Sequence, residues 1–207
     1  MNLVLDKIRK LVRFFVNKFA RLLYKLFGNL ISPNLVTTVG LIAHIPIAIL
    51  IAKGNFIPAA SLLIVFGLFD ALDGELARLQ NKASASGMLL DASTDRIKEI
   101  LLYLGISYYF IHINKPSFII WIVGALGGSL LVSYVKAKGE TAIASTKLSH
   151  SETNRIFQDG LMRFEVRMFL IVLGLYINRL EVVIIIIAVL SWLTAIYRLM
   201  LIMKKIN

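Results

Sequence analysis

The sequence predicts an all-α polytopic membrane protein: six transmembrane helices in one bundle, preceded by an amphipathic helix lying in the membrane interface. Three observations carry this class. The 207 residues are 58% hydrophobic with a mean hydropathy of +0.79, above the roughly half-apolar make-up of a soluble domain. The apolar residues are gathered into runs of membrane-crossing length, for which about 20 residues span about 30 Å of hydrocarbon. Short clusters of Gly, Asn, Pro and Lys punctuate those runs, so successive helices return as antiparallel neighbours. Residues 1–207 read as one domain, with 1–29 as the juxtamembrane helix and 30–207 as the bundle.

Taken in order, residues 2–27 set Lys7, Arg9, Lys10, Arg13, Lys18, Arg21 and Lys25 against apolar residues recurring at three and four, among them Ile8, Leu11, Val12, Phe15, Phe19, Leu22 and Leu26. That spacing predicts a helix with an apolar face in the interface and bases toward anionic headgroups. A secretory signal peptide needs an unbroken apolar core, and here a base interrupts every few residues. Gly28-Asn29 ends the helix, and Ser32-Pro33 starts the next as N-cap and first turn. The spans then run over 35–52, 56–79, 87–112, 118–135, 161–177 and 182–203. Lys53-Gly54-Asn55, Asn114-Lys115-Pro116 and Asn178-Arg179 are the turns at one end. His44, alone in the first span, reads as a packed or hydrogen-bonded residue, and Gly124, Gly127, Gly128 and Ser129 of the fourth as a surface for close helix approach.

Six spans place both termini on one side. That side also receives Lys82, the basic segment 136–159 and Lys204-Lys205, while the opposite turns hold little beyond Lys53, Lys115 and Arg179. The positive-inside rule then puts the termini at the cytosolic face. The net charge of +11 implies anionic partners, and in a membrane protein these are lipid headgroups and phosphorylated substrates rather than nucleic acid. With no cysteine, disulfides and thiolate metal sites are excluded.

The chemistry concentrates in residues 70–95. Asp70 and Asp73 are spaced i,i+3, Asp91 and Asp95 i,i+4, so each pair shares a helix face. The polar link 80–86 folds the two helices back and brings the four carboxylates together at the cytosolic end. Carboxylates at a membrane boundary persist when they are paired, ligate a metal or line a polar cavity. Hard oxygen donors in this number suit Mg²⁺, Mn²⁺ or Ca²⁺, and two ions could share them. Asp70, Asp73 and Asp91 are the expected metal ligands, with Asp95 at the edge of the cluster as a fourth. A solvated acidic turn explains neither Gly74, Ala77 and Gly87 nor Arg78.

The run D70-x-x-D73-G74-x-x-A77-R78, eight further residues, then G87-x-x-x-D91-x-x-x-D95, resembles the signature of the CDP-alcohol phosphatidyltransferases. The resemblance implies a six-helix, homodimeric bundle that transfers a phosphatidyl-type group from a CDP-activated lipid to an alcohol, releasing CMP. It implies two divalent ions, Mg²⁺ with Mn²⁺ as the substitute, and Asp95 as general base to the acceptor hydroxyl. Asp70, Asp73, Gly74, Ala77, Arg78 and Gly87 would bind the CDP-lipid, with Asn34 and Thr37 in the preceding segment shaping the nucleotide pocket. Helix packing is the other reading of Ala77, and snorkelling to the interface that of Arg78.

A second, less specific resemblance concerns the acceptor. S133-Y-V-K136-A-K138-G-E140 and G160-L-M-R163-F-E-V-R167 resemble stretches of the inositol-phosphate-using members, although Lys138 stands where Arg is usual. Lys136, Lys138, Arg163 and Arg167 would then hold the phosphate of a polyol phosphate, inositol phosphate before glycerol phosphate. The positive-inside bias alone is the rival account of these bases. A small ion-coupled transporter is the rival function; it would place its ionisable groups near the bilayer midplane.

Overall fold

In a computed structural model, the structure describes residues 2–144 and 162–206, all helix, turn or loop with no strand among them. Helix α1 (Asn2–Phe27) leads into α2 (Pro33–Ala52), α3 (Phe56–Gly67), α4 (Phe69–Leu79) and α5 (Ala85–His112). A 3₁₀ turn (Pro116–Phe118) opens α6 (Ile119–Ala144), and α7 (Phe164–Tyr176) and α8 (Leu180–Ile206) follow. The basic segment's Lys147 and Arg155, and Gly160-Leu161 ahead of the fifth span, lie outside the described residues.

Local chemistry sets the boundaries. Ser32 caps α2, its hydroxyl accepting from Leu35 N at 3.2 Å, with Pro33 at the first turn. Ser84 caps α5 in the same way, accepting from Gly87 N at 3.1 Å. Asn81, Asn114 and Asn178 turn the chain out of three helices with φ of 55°, 58° and 53°, the left-handed conformation that Asn tolerates.

α2 is the centre of one half, packed against α3, α4 and α5; α6 runs along α8 in the other; α5 and α7 join the halves. The shared core contains Ile47, Ile51, Leu102, Ile106, Ile122, Ile171 and Ile184. The small residues of α6 do bring α8 close. A Cβ on Gly128 would lie 3.0 Å from Ser191 Cβ and from the Trp192 ring, and Trp192 Nε1 donates to Gly124 O at 2.9 Å. His44 is buried and hydrogen-bonds Gly40 O through Nδ1 at 2.7 Å, a packed residue as expected.

The tightest crossing is α2 on α5, where a Cβ at Gly105 would stand 2.4 Å from the carbonyl oxygen of Ala48. Backbone cannot swing aside as a flexible side chain can, so Gly105→Ala must part α2 from α5. Overpacking of this kind costs about 1–3 kcal/mol. The expected result is a thermal midpoint in detergent lowered by several degrees; an unchanged midpoint would deny the close crossing.

Among the described residues, four helical segments are long and apolar enough to cross a membrane: Pro33–Ala52, Phe56–Leu79, Pro116–Ile143 and Leu180–Lys204. Two of the six expected spans differ. α5 has the length, but Asp91, Asp95, Arg96, Lys98 and Glu99 charge its first half. α7, at 13 residues, rises only about 20 Å. The second span is also broken at Leu68, whose N–H bonds Val65 O at 3.3 Å in a tightened turn, so the acidic motif rides on its own short helix.

Contacts fix which turns share an end. Gly54 meets the Tyr109 ring near the end of α5, and Lys115 pairs with Glu181 at the start of α8. At the other end Gln80 Nε2 donates to Gly28 O at 3.3 Å and Ile31 O at 2.7 Å, tying the α1–α2 link to the end of α4. There Val16 and Ala20 of α1 are buried with Val36, Leu72 and Leu76, while Lys18, Arg21 and Lys25 stay exposed.

Candidate functional site

The break at Leu68 puts Asp70 in the first turn of α4, where a carboxylate faces the positive end of the helix dipole. Two turns into α5, Asp91 and Asp95 point back at it. One carboxylate oxygen from each of Asp70, Asp91 and Asp95 falls within 4.8 Å of the others, and all three residues are half-buried. Asp91 Oδ1 and Asp95 Oδ1 are buried and have no hydrogen-bond partner among the described residues. Three converging carboxylates with two unsatisfied buried oxygens form a hard-oxygen donor set that fits a divalent cation.

Membership of that set differs from expectation. Asp95 stands inside the cluster, not at its edge. Asp73 is buried and accepts a 2.5 Å hydrogen bond from Thr37 Oγ1, while remaining within electrostatic range of Asp91 and Asp70. Thr37 therefore touches the acidic motif directly, through Asp73.

Around the cluster, Gly74 leaves open space: a Cβ there would approach only Arg78 Nη1, at 3.9 Å. Arg78 is exposed and held by Glu75, with Nε at 3.1 Å and Nη2 at 2.5 Å from Oε2. Ala77 is half-buried. Gly87 faces α2, where a Cβ would come within 3.9 Å of Asn34 Oδ1. The first turns of α2 and α5 thus lie against each other beside the exposed edge of α4.

On the acceptor side the four expected bases do not behave alike. Lys136 and Lys138 are exposed near the end of α6, with Lys136 3.8 Å from Glu140. Arg163 is half-buried, its Nε without a hydrogen-bond partner among the described residues. Arg167 departs from the expectation. It is 0% exposed, its Nε and Nη2 donate to Glu99 at 2.7 and 3.0 Å, and its Nη1 donates to Met162 O at 2.6 Å. A guanidinium engaged on every nitrogen and closed to solvent has no face for a soluble acceptor.

Residues 30–202 match the family described as CDP-alcohol phosphatidyltransferase. The chain belongs to that family. It is 34% identical over 137 residues to the phosphatidylinositol phosphate synthase of Corynebacterium glutamicum, an alignment covering 65% of this chain and 61% of that protein. It is 28% identical over 195 residues to the archaetidylinositol phosphate synthase of Pyrococcus horikoshii, covering 94% of each. The crystal structure of the Mycobacterium tuberculosis phosphatidylinositol phosphate synthase with CDP-DAG bound superposes with a TM-score of 0.75 at 25% identity, over 90% of this chain and 92% of that one. The same mycobacterial enzyme in complex with manganese and citrate shares the fold, with a TM-score of 0.77 at 24% identity over 91% and 89% of the two chains.

Four charged residues of this chain escaped the sequence reading. Lys98, buried, pairs with Asp70 and lies 3.6 Å from Asp95 Oδ1. Glu99, also buried, joins Arg167 to Arg96, whose Nη1 reaches Glu99 Oε2 at 3.0 Å and also contacts the Ser133 hydroxyl. Arg198 of α8 is buried, donates to Val132 O at 3.2 Å and lies within electrostatic range of Arg163 and Arg167. The available signal was position: a charge in the middle of an apolar helix needs a partner in the bundle.

Proposed function

We propose that this transferase moves a phosphatidyl-type group from a CDP-activated lipid to inositol phosphate and releases CMP. It would act as a six-span bundle whose site opens to the cytosol, with α1 lying in the interface and a second copy completing a homodimer. α5 and α7 are the two further spans, shielded by the apolar helices around them. The observation that carries the reading is the convergence of Asp70, Asp91 and Asp95 within 4.8 Å at the end of the bundle where the basic residues gather. The names of the relatives aligned over most of this chain support the acceptor.

Asp70, Asp91 and Asp95 would hold the divalent metal, Mg²⁺ or Mn²⁺, with Asp73 close enough to serve a second ion. Bound there, the metal supplies neutralisation of the donor's diphosphate and of the charge that develops as CMP departs. The chain's own residues do the rest. Gly74 and Gly87 leave backbone-close room for the nucleotide, and Arg78 reaches the diphosphate by exchanging Glu75 for phosphate oxygens. Asp95 takes the proton of the acceptor hydroxyl. The freed oxygen attacks the lipid-bearing phosphorus, forming one P–O bond as the bond to CMP breaks. Lys136, Lys138 and Arg163 hold the acceptor phosphate and so turn its hydroxyls toward Asp95, while Arg167 braces this wall through Glu99.

The decisive measurement is CMP release from CDP-diacylglycerol, and from its ether-linked analogue, with inositol phosphate, glycerol phosphate, serine and free inositol offered at equal concentration. Inositol phosphate is expected to dominate, and Arg163→Ala to raise its KM about ten- to hundredfold while leaving that of the CDP-lipid nearly unchanged. Preference for glycerol phosphate would overturn the inositol assignment and keep the basic pocket; preference for serine or free inositol would overturn both.

A further inference from the structure

Lys98 enters neither the acidic signature nor the transfer step, yet its ammonium is placed among the carboxylates. The residue is 0% exposed, one turn beyond Asp95 on α5, and its Nζ pairs with Asp70 and stands 3.6 Å from Asp95 Oδ1. Its side chain cannot snorkel to water. It runs along α2, where Nζ would lie 3.9 Å from a Cβ on Gly40, and His44 one turn further on is within its electrostatic range. Held this way, the ammonium sits between the carboxylates of Asp70 and Asp95.

We propose that Lys98 is a built-in counter-cation that sets how much divalent metal the donor-free protein holds. Asp70, Asp91 and Asp95 bring three negative charges. Lys98 cancels one, and a single divalent ion cancels the other two. Asp73, although hydrogen-bonded by Thr37, adds one more negative charge nearby, and Arg96, whose Nη2 stands 3.8 Å from Asp95 Oδ2, sets one positive charge against it, so together they leave that balance unchanged. A second ion in the same cluster would face an excess of positive charge until the donor's diphosphate arrives. Lys98 also keeps the carboxylates together without metal, since it screens the repulsion between Asp70 and Asp95. It is a positioning residue, acting through Asp70 and Asp95.

The inference rests on the cluster being the metal site of the proposed function, and the test separates the two. The full chain in detergent is titrated with Mn²⁺ alone, free Mn²⁺ being read by electron paramagnetic resonance, and its thermal midpoint is followed with and without Mn²⁺. The unsubstituted protein should bind one ion tightly and show a small midpoint shift. Lys98→Met should bind Mn²⁺ roughly tenfold or more tightly, or take up a second ion, because a nearby positive charge has gone. Its midpoint should fall without metal and be largely restored by it. Lys98→Arg keeps the charge and should follow the unsubstituted protein in stoichiometry. Should Lys98→Met be too unstable to titrate without metal, recovery of its folded yield on purification in Mn²⁺ carries the same prediction. If Lys98→Met binds Mn²⁺ like the unsubstituted protein and gains no metal-dependent stability, the role of Lys98 is overturned and the metal site stands. If the unsubstituted protein binds no Mn²⁺, the metal site itself fails and the inference fails with it.

Discussion

Asp91→Asn is expected to reduce CMP release by about a thousandfold while the protein stays folded in detergent. Asp91 supplies one of the three carboxylates of the cluster, and its Oδ1 is buried without a hydrogen-bond partner among the described residues. An amide there keeps the volume and removes the charge. Metal-supplied stabilisation of a phosphoryl-transfer transition state amounts to several kcal/mol, and about 4 kcal/mol corresponds to a factor of about a thousand. The four aspartates should separate into two classes when Mn²⁺ affinity is measured beside activity. Asp70→Asn, Asp91→Asn and Asp95→Asn should lose both, because all three oxygens share the 4.8 Å cluster. Asp73→Asn should keep more of its affinity, since the amide oxygen can still accept from Thr37. Retained affinity in Asp95→Asn with lost activity would make Asp95 a base outside the coordination sphere. Activity that survives chelation would remove the metal from the mechanism altogether.

Periodicity explains why the acidic cluster was legible. Two i,i+3 and i,i+4 pairs on helices joined by a short polar link can only meet at the linked end, so no long-range contact had to be guessed. The Ser32 cap, the glycine and asparagine turns and the small face of α6 are likewise local signals, and each appears in the structure. The span count was harder. α5 carries part of the site on a helix whose first half is charged, and α7 is short, so among the described residues only Pro33–Ala52, Phe56–Leu79, Pro116–Ile143 and Leu180–Lys204 have the apolar length of a span. Which carboxylate leaves the cluster was not legible either, because the partner of Asp73 is a threonine on another helix, 36 residues away. The pairing of Arg167 was hidden for a similar reason. Its base-rich neighbourhood suggested phosphate, whereas its acid, Glu99, lies 68 residues back in the chain.

Glu99→Ala is expected to destabilise the fold by about 3–5 kcal/mol, the cost of breaking a buried ion pair by removing one partner. Glu99 and Arg167 are both 0% exposed, and Arg96 shares the same carboxylate. Without Glu99, the buried guanidinium of Arg167 and the half-buried one of Arg96 face each other across α5 and α7 with no charge between them. The loss should appear as a thermal midpoint lowered by roughly 6–20 °C, at about 2–4 °C per kcal/mol for a chain of this size. Arg167→Ala should be comparably unstable, since it strands the carboxylate, although Arg96 offsets part of that charge. Replacing the pair together, as Glu99→Leu with Arg167→Met, should recover much of the loss, because an apolar pair of similar volume needs no counter-charge. The same variants decide what Arg167 does. If it braces the acceptor wall, Arg167→Ala lowers the midpoint, and the double variant regains stability with an acceptor KM close to that of the unsubstituted enzyme. A midpoint unmoved by Arg167→Ala, with a large rise in acceptor KM that the double variant shares, would return Arg167 to the phosphate pocket and show that its pairing with Glu99 opens when the acceptor binds.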